Sequence, residues 1–294
     1  TIGARNKEQK IDNKIKQILV SNGLSEIYTY GFVSEKDLEK ANVDKALVDK
    51  AITLINPLSD EYKLMRPTTI PSMLQILAIN ANKKNQNVKL FDISRSYRNV
   101  NGEVESGEIP LQESILTIGM YGDDVDFYTL KGLIENVLEA SDVNRYSVEK
   151  ETKNNSFHPG RCANLKVGTD VIATIGEAHP EVLMNYNIEK RAYLAEINIT
   201  KVVKYSRDIA VIVDESIEVG KIEGIITAKS KKILENVKLF DIYRDEKIGN
   251  GKKSVAYSMI FRDKRKTLND EDVNSVMEKI ISELENKLGA TLRK

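Results

Sequence analysis

Hydrophobic residues recur every three or four positions in several stretches of the first two thirds of the chain. This spacing is typical of helices with one buried face. The Asn22-Gly23 pair predicts the end of the first helix, and Asp126 is a candidate cap for the last one. The predicted helices lie around Ile11 to Leu19, over residues 35–51, over residues 70–81, and from residue 127 to residue 140.

Apolar runs between these helices predict strands. They are EIYTYGFV (26–33), ITLINPL (52–58), VKLFDI (88–93), SILTIGMYG (114–122) and two strands within residues 164–178. Helices and strands therefore mix along residues 1–205, and a mixed α/β domain is predicted there.

The pattern becomes more regular from Arg207 onward. RDIAVIVDE predicts a strand and VGKIEGIITAKS a helix, while VKLFDIYRD and SVAYSMIFRD predict a hairpin joined by EKIGNGKK. A helix with apolar positions from Val273 to Leu288 precedes a short ATLR strand. This βαββαβ order is that of a ferredoxin-like sandwich. We therefore expect an α+β protein with two domains, 1–205 and 206–294.

The hexapeptide VKLFDI occurs twice, at residues 88–93 and 237–242. Different residues follow each copy, and each belongs to a different predicted domain. The identity is therefore interpreted as chance agreement between two strand-forming runs, not as an internal repeat. The sequence leaves open which face of the second strand Phe240 and Tyr243 join.

Composition limits the classes of function. The length of 294 residues suits two domains. The 44 basic residues balance the 44 acidic residues, so no net positive charge attracts a polyanion to the chain as a whole. A polyanionic partner would therefore have to meet a local patch. A single cysteine indicates a reducing compartment, which we expect to be the cytoplasm. No apolar run approaches the roughly 20 residues that span a bilayer.

Candidate catalytic and metal-binding side chains are few. The spacing of His158, Cys162 and His179 matches no strong zinc pattern, and each histidine precedes a proline, which favours a role in turns. A Cys162 nucleophile with His158 as its base is the alternative, although a small buried thiol is favoured. The chain contains neither a P-loop nor a GxGxxG motif. We therefore expect no metal and no catalytic residue.

A local basic stretch lies near the second predicted hairpin. Between residues 247 and 266 seven basic residues accompany the single acid Asp263, and they are Lys247, Lys252, Lys253, Arg262, Lys264, Arg265 and Lys266. An ordinary solvated surface explains this stretch equally well. Alternation predicts that Val255, Tyr257, Met259 and Phe261 face the helices. Ala256, Ser258, Ile260 and Arg262 would then line an open sheet face, which could accept single-stranded bases.

Several segments together resemble a known family. They are NPLSDEYKLMRPTTIPSMLQ, VKLFDISRSY, VDFYTLKG, FHPGRCANLKVG, IGEAHPEV, RDIAVIVDE and VKLFDIYRDEKIGNGKKSVAYSMIFRDKRKTLNDEDV. In this order they are similar to the C-terminal part of bacterial phenylalanyl-tRNA synthetase β subunits, over essentially the whole chain. The resemblance implies a class II synthetase-like mixed α/β domain with an antiparallel sheet, followed by an FDX-ACB anticodon-binding domain.

The resemblance also implies a non-catalytic role. The segment similar to motif 2, LFDISRSYRNV, keeps Arg98 but continues with Asn99 and Val100, and nothing resembles motif 3. A site that stabilises a charged transition state needs those donors. ATP and Mg²⁺ would then belong to the α subunit, in a heterotetramer of two α and two β subunits that charges phenylalanine tRNA. This chain would hold no cofactor and no catalytic residue.

Charge and strand position select candidate tRNA contacts within the FDX-ACB domain. They are Arg207, Lys238, Asp241, Tyr243, Arg262, Arg265 and Lys266. For Asp241 and Tyr243 the competing interpretation is that they only stabilise the fold. Two other functions remain open, a stand-alone ligase that adenylates an amino acid and a subunit-assembly module without RNA contact.

The chain departs from the family pattern in three places. Thr1 is expected to begin a fragment, because the tRNA-binding and editing regions that precede it in the family have no counterpart. The family also has a longer loop between Gly122 and Asp123 and a proline-bearing linker between Tyr205 and Ser206. Either these connections are shorter in this protein, or loop residues are missing from the chain. The second alternative is favoured, because both junctions fall where the family has mobile loops.

Overall fold

The computed structural model describes residues 5, 7–99, 109–141, 143, 145–204, 206–230, 233–245, 248–261 and 270–293. The chain divides into two compact units, Thr1–Lys166 with Val171–Val202, and Val203–Lys294 with Val167–Asp170. Within the described residues, no helix is both long and apolar enough to cross a membrane.

The first unit alternates helices and strands, as its sequence pattern predicts. Its helices are α1 (Lys7–Ser21), α2 (Glu35–Lys40), α3 (Lys45–Val48), α4 (Ile70–Asn82), α5 (Phe127–Ala140), α6 (Pro180–Asn185) and α7 (Ile199–Lys204), with a short 3₁₀ helix at Asp60–Tyr62. Its strands are β1 (Ser25–Glu26), β2 (Phe32–Val33), β3 (Ile52–Thr53), β4 (Leu64–Met65), β5 (Val88–Arg98), β6 (Leu111–Tyr121), β7 (Ser147–Lys150), β8 (Phe157–Val167), β9 (Asp170–Ala178) and β10 (Ala192–Asn198).

The predicted helix ends are confirmed. Gly23 follows α1 with a φ of +82°, a backbone conformation that glycine adopts without strain. Asp126 caps α5 through a capping box with Thr129. The apolar stripes of these helices are buried, as at Leu19 and Leu74.

A seven-stranded sheet in the order β1-β5-β6-β10-β9-β8-β7 forms the centre of this unit. β1 runs parallel to β5, and the registers of β5, β6, β10 and β9 are antiparallel. The α4 helix packs closely on it, because a Cβ at Gly119 would lie 2.6 Å from the sulfur of Met73. A smaller sheet has the order β2-β4-β3. The predicted mixed domain with an antiparallel sheet is confirmed.

Three local predictions are wrong. EIYTYGFV is not one strand: β1 pairs with β5, residues 27–31 are irregular, and β2 then pairs with β4, so the segment passes from one sheet to another. The predicted helix over 35–51 is two short helices, separated by Asn42 at a φ of +49°. ITLINPL forms only the two-residue β3 and then continues as a loop.

The chain passes from Gly122 into Asp123, whose N–H donates to Asn87 Oδ1 at 3.2 Å.

The second unit is a ferredoxin-like sandwich, as predicted. Its elements are β11 (Ser206–Asp214), α8 (Val219–Ser230), β12 (Leu234–Tyr243), β13 (Lys252–Phe261), α9 (Asp270–Leu288) and β14 (Thr291–Leu292). The sheet order is β12-β13-β11-β14, and each pair of neighbours is antiparallel. Gly249 and Gly251 have positive φ in the predicted hairpin turn.

Side-chain alternation on β13 follows the prediction on one face. Val255, Tyr257, Met259 and Phe261 are fully buried in the core formed with α8 and α9. On the other face Ser258 is half-buried, but Ala256 and Ile260 are buried, so the prediction of a fully open face is wrong at these two positions. Short side chains on a central strand are shielded by longer ones on its neighbours, which accounts for Ala256. The exposed part of this sheet is its edge strand, β12.

Candidate functional site

Three of the seven candidate RNA contacts lie together on one face of β12. Their partners on β13 are Ser258 for Lys238, Ala256 for Asp241 and Ser254 for Tyr243. Directly opposed residues of an antiparallel pair share a face. Because Tyr257 and Met259 point into the helix-covered core, these three side chains lie on the opposite side of the sheet. All three are exposed.

A β-bulge at Phe240 produces this arrangement. The register of β12 against β13 shifts by one residue between Leu239 and Asp241, which leaves Phe240 without a partner on β13. Without the extra residue, alternation would turn Asp241 and Tyr243 toward the helices. Phe240 itself is 55% exposed. The bulge therefore places Tyr243 on the face opposite the helices, and the exposed Phe240 lies at the bulge itself.

Arg293 joins the exposed β12 face from the other edge of the sheet. Its guanidinium carbon lies 4.7 Å from the centroid of the Tyr243 ring, within the range of a cation–π contact. Its backbone N–H donates to Ala210 O at 2.9 Å, which anchors the end of β14. The Tyr243 hydroxyl donates to Asp245 at 2.5 Å, and this hydrogen bond raises the pKa of Tyr243. Sequence reasoning missed Arg293, although the predicted ATLR strand already placed it at the sheet.

Of the remaining candidates, only Arg207 is described, and it does not join this face. Arg207 pairs with Met259, so its side chain starts on the helix side of the sheet, and it is half-buried. Arg262, Arg265 and Lys266 lie outside the described residues. Of the basic stretch, Lys253 is buried and donates to Glu215 O at 2.8 Å, whereas Lys252 is exposed. RNA contact by all seven candidates stays a prediction.

In the first unit, a group of polar side chains shares one side of β5, β6 and β10. We call this group the polar sheet face, and its members are Asp92, Ser96, Arg98, Glu113, Thr117, Glu196 and Asn198. Arg98 is the arginine that resembles the motif 2 position. Its guanidinium forms an ion pair with Glu113, whose other oxygen accepts from Asn198 Nδ2 at 2.6 Å. The arginine is therefore engaged within the sheet.

Residues from the N-terminal end of α4 complete this network. One oxygen of Glu196 accepts from Thr68 Oγ1 at 2.7 Å and from both N and Oγ1 of Thr69 at 2.9 Å. Hydrogen bonds from the two buried threonines to Glu196 stabilise a fixed arrangement. Three other atoms of the same face are buried without a hydrogen-bond partner among the described residues, and they are Ser96 Oγ, Arg98 Nε and Glu113 Oε2.

Arg66 and Asp92 form a second buried pair of this network. Arg66 donates through Nε to Arg95 O at 2.9 Å and through Nη1 to Thr29 Oγ1 at 2.6 Å. Its Nη1 lies 3.9 Å from Asp92, and both side chains are at most 4% exposed. Burial lowers the pKa of Arg66, while the Asp92 charge acts in the opposite direction. The pair fixes the segment before α4 against β5.

The two histidines accept hydrogen bonds from nearby backbone groups, His158 within β8 and His179 at the N-cap of α6. His158 Nδ1 accepts from Gly160 N at 3.0 Å, and His179 Nδ1 accepts from Glu181 N at 3.2 Å at the start of α6. Burial raises the pKa of the Cys162 thiol to about 12, so the thiol stays protonated near neutral pH. Among the described residues no group of three or more His, Cys, Asp or Glu could hold a metal ion.

Exposed apolar side chains occur in two segments of the first unit. Tyr28 and Tyr30 are 83% and 75% exposed in the irregular segment after β1, and Ile55 and Leu58 are 96% and 97% exposed in the loop after β3. The first segment contacts the 3₁₀ helix that follows this loop, since the rings of Tyr30 and Tyr62 lie edge to face with centroids 5.7 Å apart. We call Tyr28, Tyr30, Ile55 and Leu58 the apolar surface. Such patches mark interaction sites in many proteins.

Comparison with known proteins agrees with this architecture. The family described as phenylalanyl tRNA synthetase beta chain CLM domain matches residues 1–199, and the ferredoxin-fold anticodon binding domain matches residues 201–293. The chain is 41% identical over 306 residues to the phenylalanine–tRNA ligase β subunit of Clostridium acetobutylicum, covering 98% of this chain and 38% of that protein. The corresponding subunit of Clostridium tetani is 38% identical, with 97% and 38% covered. The chain thus spans 38% of the length of these curated relatives.

Solved structures show the same fold at low identity. A pyrrolysyl-tRNA synthetase from Desulfitobacterium hafniense superposes with a TM-score of 0.56 over 69% of this chain and 70% of that chain, at 14% identity. At this identity the match concerns the fold alone, which is that of a class II synthetase. Taken with the family matches and the β-subunit relatives, it leads to one conclusion: the chain belongs to the phenylalanyl-tRNA synthetase β-chain family, with a CLM domain followed by a ferredoxin-fold anticodon binding domain.

Proposed function

We propose that this chain is the part of a phenylalanine–tRNA ligase β subunit that supports the catalytic α subunit and binds the anticodon region of phenylalanine tRNA. The exposed β12 face, in a domain of the anticodon-binding family, carries the proposal. Two α and two β subunits form the enzyme, which works in the cytoplasm. ATP and Mg²⁺ are used by the α subunit, and the chain alone is inactive. The domain boundary is placed between residues 205 and 206.

The chemistry of the β12 face suits single-stranded RNA. Tyr243 and Phe240 offer rings on which bases can stack, and stacking tolerates any base because every base has a π face. Lys238 and Arg293 supply cationic groups for phosphate oxygens. Asp241 is an acceptor that can bind the amino groups of a base edge. Strand, bulge and tail thus present stacking, phosphate-binding and base-binding groups on one surface.

The polar sheet face supports the inactive role. Phosphate binding requires donors that are free to turn toward the ligand. Arg98 is instead paired with Glu113, and the α4 entrance donates to Glu196. Replacing these internal contacts with a nucleotide would leave Glu113 without its ion-pair partner and Glu196 without the donors of the α4 entrance. This cost favours a face that stabilises the domain over one that binds ATP.

The apolar surface supports the α-subunit partner. Ile55 and Leu58 are almost fully exposed, although each would gain free energy from burial. Interfaces of permanent complexes resemble cores in their apolar character. We therefore assign the apolar surface to contact with the α subunit.

A tRNA-binding titration tests the RNA part of the proposal. The chain should bind phenylalanine tRNA with an affinity that falls as salt rises, because phosphate contacts release counterions. A phenylalanine tRNA whose anticodon has been changed, with an otherwise unaltered sequence, is the matched control and should bind more weakly. Equal affinity for both tRNAs would reduce the interaction to non-specific attraction and contradict anticodon recognition.

Two further assays separate this function from its alternatives. Co-purification with the α subunit should succeed, and it should fail after Leu58→Ser in the apolar surface. Phenylalanine-dependent ATP–pyrophosphate exchange by the chain alone should not exceed the blank. Exchange without the α subunit would identify a stand-alone ligase and overturn the inactive role.

A further inference from the structure

A cleft of about 730 Å³ in the first unit is lined in part by Tyr28 and Tyr30 of the apolar surface. Its walls come from the irregular segment after β1, the start of α2, the 3₁₀ helix and the outer side of α4. The lining includes Tyr28, Tyr30, Phe32, Tyr62, Glu35, Asp37, Asp60, Glu61, Lys36, Lys63 and Gln75. Four aromatic rings and four carboxylates therefore meet in one cavity, against two lysines.

The aromatic rings are held open to the cleft. Tyr30 packs on Tyr62 at an interplanar angle of 62° and is still 75% exposed. Phe32 is fixed by the β2–β4 pair and is 38% exposed. Tyr28 already has a cation near its ring, since Lys16 Nζ lies 5.7 Å from the centroid. The negative faces of such rings attract ammonium and guanidinium groups.

Two of the four carboxylates form hydrogen bonds or ion pairs with described residues, and two do not. Asp37 accepts from Ser34 at the cap of α2, and Glu35 pairs with Lys63 at 3.1 Å. Asp60 and Glu61 are exposed and make no hydrogen bond or ion pair within the part of the chain that the structure describes. Two free negative charges therefore remain at the 3₁₀-helix side of the cleft.

We propose that this cleft receives a lysine or arginine side chain of the α subunit where that subunit covers the apolar surface. The inference rests on the proposed function and adds the chemistry of the contact. A cation would gain the faces of Tyr30 and Phe32 together with the charges of Asp60 and Glu61. RNA is a poor occupant, because its phosphates would be repelled by those two carboxylates.

Calorimetric titration of the α subunit into the chain tests this site. Tyr30→Phe keeps the ring and should bind within about twofold of the parent, whereas Tyr30→Leu keeps apolar bulk but removes the ring and should bind roughly threefold to tenfold more weakly. The double variant Asp60→Asn with Glu61→Gln should bind about tenfold more weakly at low salt, and the difference should shrink at high salt.

Matched controls distinguish this site from the wider interface. Tyr128→Leu changes a tyrosine that is 76% exposed outside the cleft, close to the 75% of Tyr30, and should leave the affinity unchanged. If Leu58→Ser weakens binding while Tyr30→Leu and the double variant bind like the parent, the cation site is overturned and the proposed docking stands. If the parent chain does not bind the α subunit, both are overturned.

Discussion

The hexapeptide VKLFDI forms a strand in both units, yet its two copies expose different side chains. In β5 Phe91 is fully buried and Asp92 is 3% exposed, whereas in β12 Phe240 is 55% exposed and Asp241 is also exposed. β5 lies between β1 and β6 and pairs with β6 without a register shift. β12 is an edge strand with a bulge at Phe240. Position in the sheet, not sequence, decides what each copy does.

The comparison extends to the charged groups around each strand. Asp92 faces the buried Arg66, and Arg98 at the end of β5 is paired with Glu113. On β12, Lys238 and Asp241 point to the surface, and Arg293 stacks on an exposed ring. Charged groups of the first sheet therefore pair with one another, although Ser96 Oγ, Arg98 Nε and Glu113 Oε2 are buried without a hydrogen-bond partner in the described part of the chain. The charged groups of the second sheet are exposed to a partner. This contrast supports a structural role for one face and an RNA-binding role for the other.

Alanine substitution of the phenylalanine in each copy should give the largest contrast. Phe91→Ala removes a fully buried ring and should lower the free energy of unfolding of the first unit by about 3–5 kcal/mol. Phe240→Ala removes an exposed ring and should change that of the second unit by less than about 1 kcal/mol. Urea unfolding followed by circular dichroism measures both. Similar losses in the two variants would contradict the contrast.

The aspartates offer a second matched pair. Asp92→Asn would leave the buried Arg66 without a counter-charge and should cost about 3 kcal/mol. Asp241→Asn alters an exposed carboxylate and should cost no more than about 0.5 kcal/mol. The same unfolding experiment tests the pair. A tolerated Asp92→Asn would mean that Arg66 finds its partners elsewhere on the polar sheet face.

Removal of the Tyr243 ring should weaken RNA binding without unfolding the domain. Tyr243→Ala should reduce affinity for phenylalanine tRNA roughly tenfold, because a stacked base loses its platform. Tyr243→Phe keeps the ring and serves as the control. A filter-binding titration gives both constants. Equal weakening by the two variants would assign the effect to the hydroxyl, which bonds to Asp245, and not to stacking.

The smallest expected effect concerns Lys238. Lys238→Gln should lower the slope of log affinity against log salt by about 0.7, the value of one phosphate contact on a single strand. The buried Lys253, which donates to Glu215 O, is unsuitable as a control, so Lys45→Gln at an exposed position of α3 is preferred. An unchanged slope for Lys238→Gln would remove this lysine from the RNA contacts.

Much of the fold is predictable from periodicity. The βαββαβ order of the second unit and the helices α1, α4 and α5 follow from local patterns of apolar residues and caps. β10 was not predicted, although it lies in the middle of the large sheet. Its sequence AYLAEIN is short and lacks flanking turn signals, so only tertiary pairing identifies it. The passage of residues 26–33 from one sheet to another likewise depends on pairing with strands farther along the chain.

The site was less predictable, for a physical reason. Lys238, Asp241 and Tyr243 were selected from charge and strand position, but their common face depends on the bulge at Phe240. The bulge is fixed by pairing with a second strand, β13, and the sequence of β12 alone does not specify it. The stacking of Arg293 on Tyr243 and the pairing of Arg98 with Glu113 join segments that are likewise separated along the chain.

Hydrogen exchange of the chain with and without phenylalanine tRNA tests the contrast between the two faces most directly. The account predicts that tRNA slows exchange in peptides that contain residues 236–245, and that peptides from β5 and β6 exchange as they do without tRNA. Protection of β5 and β6, with none in residues 236–245, would contradict it and would assign RNA binding to the polar sheet face.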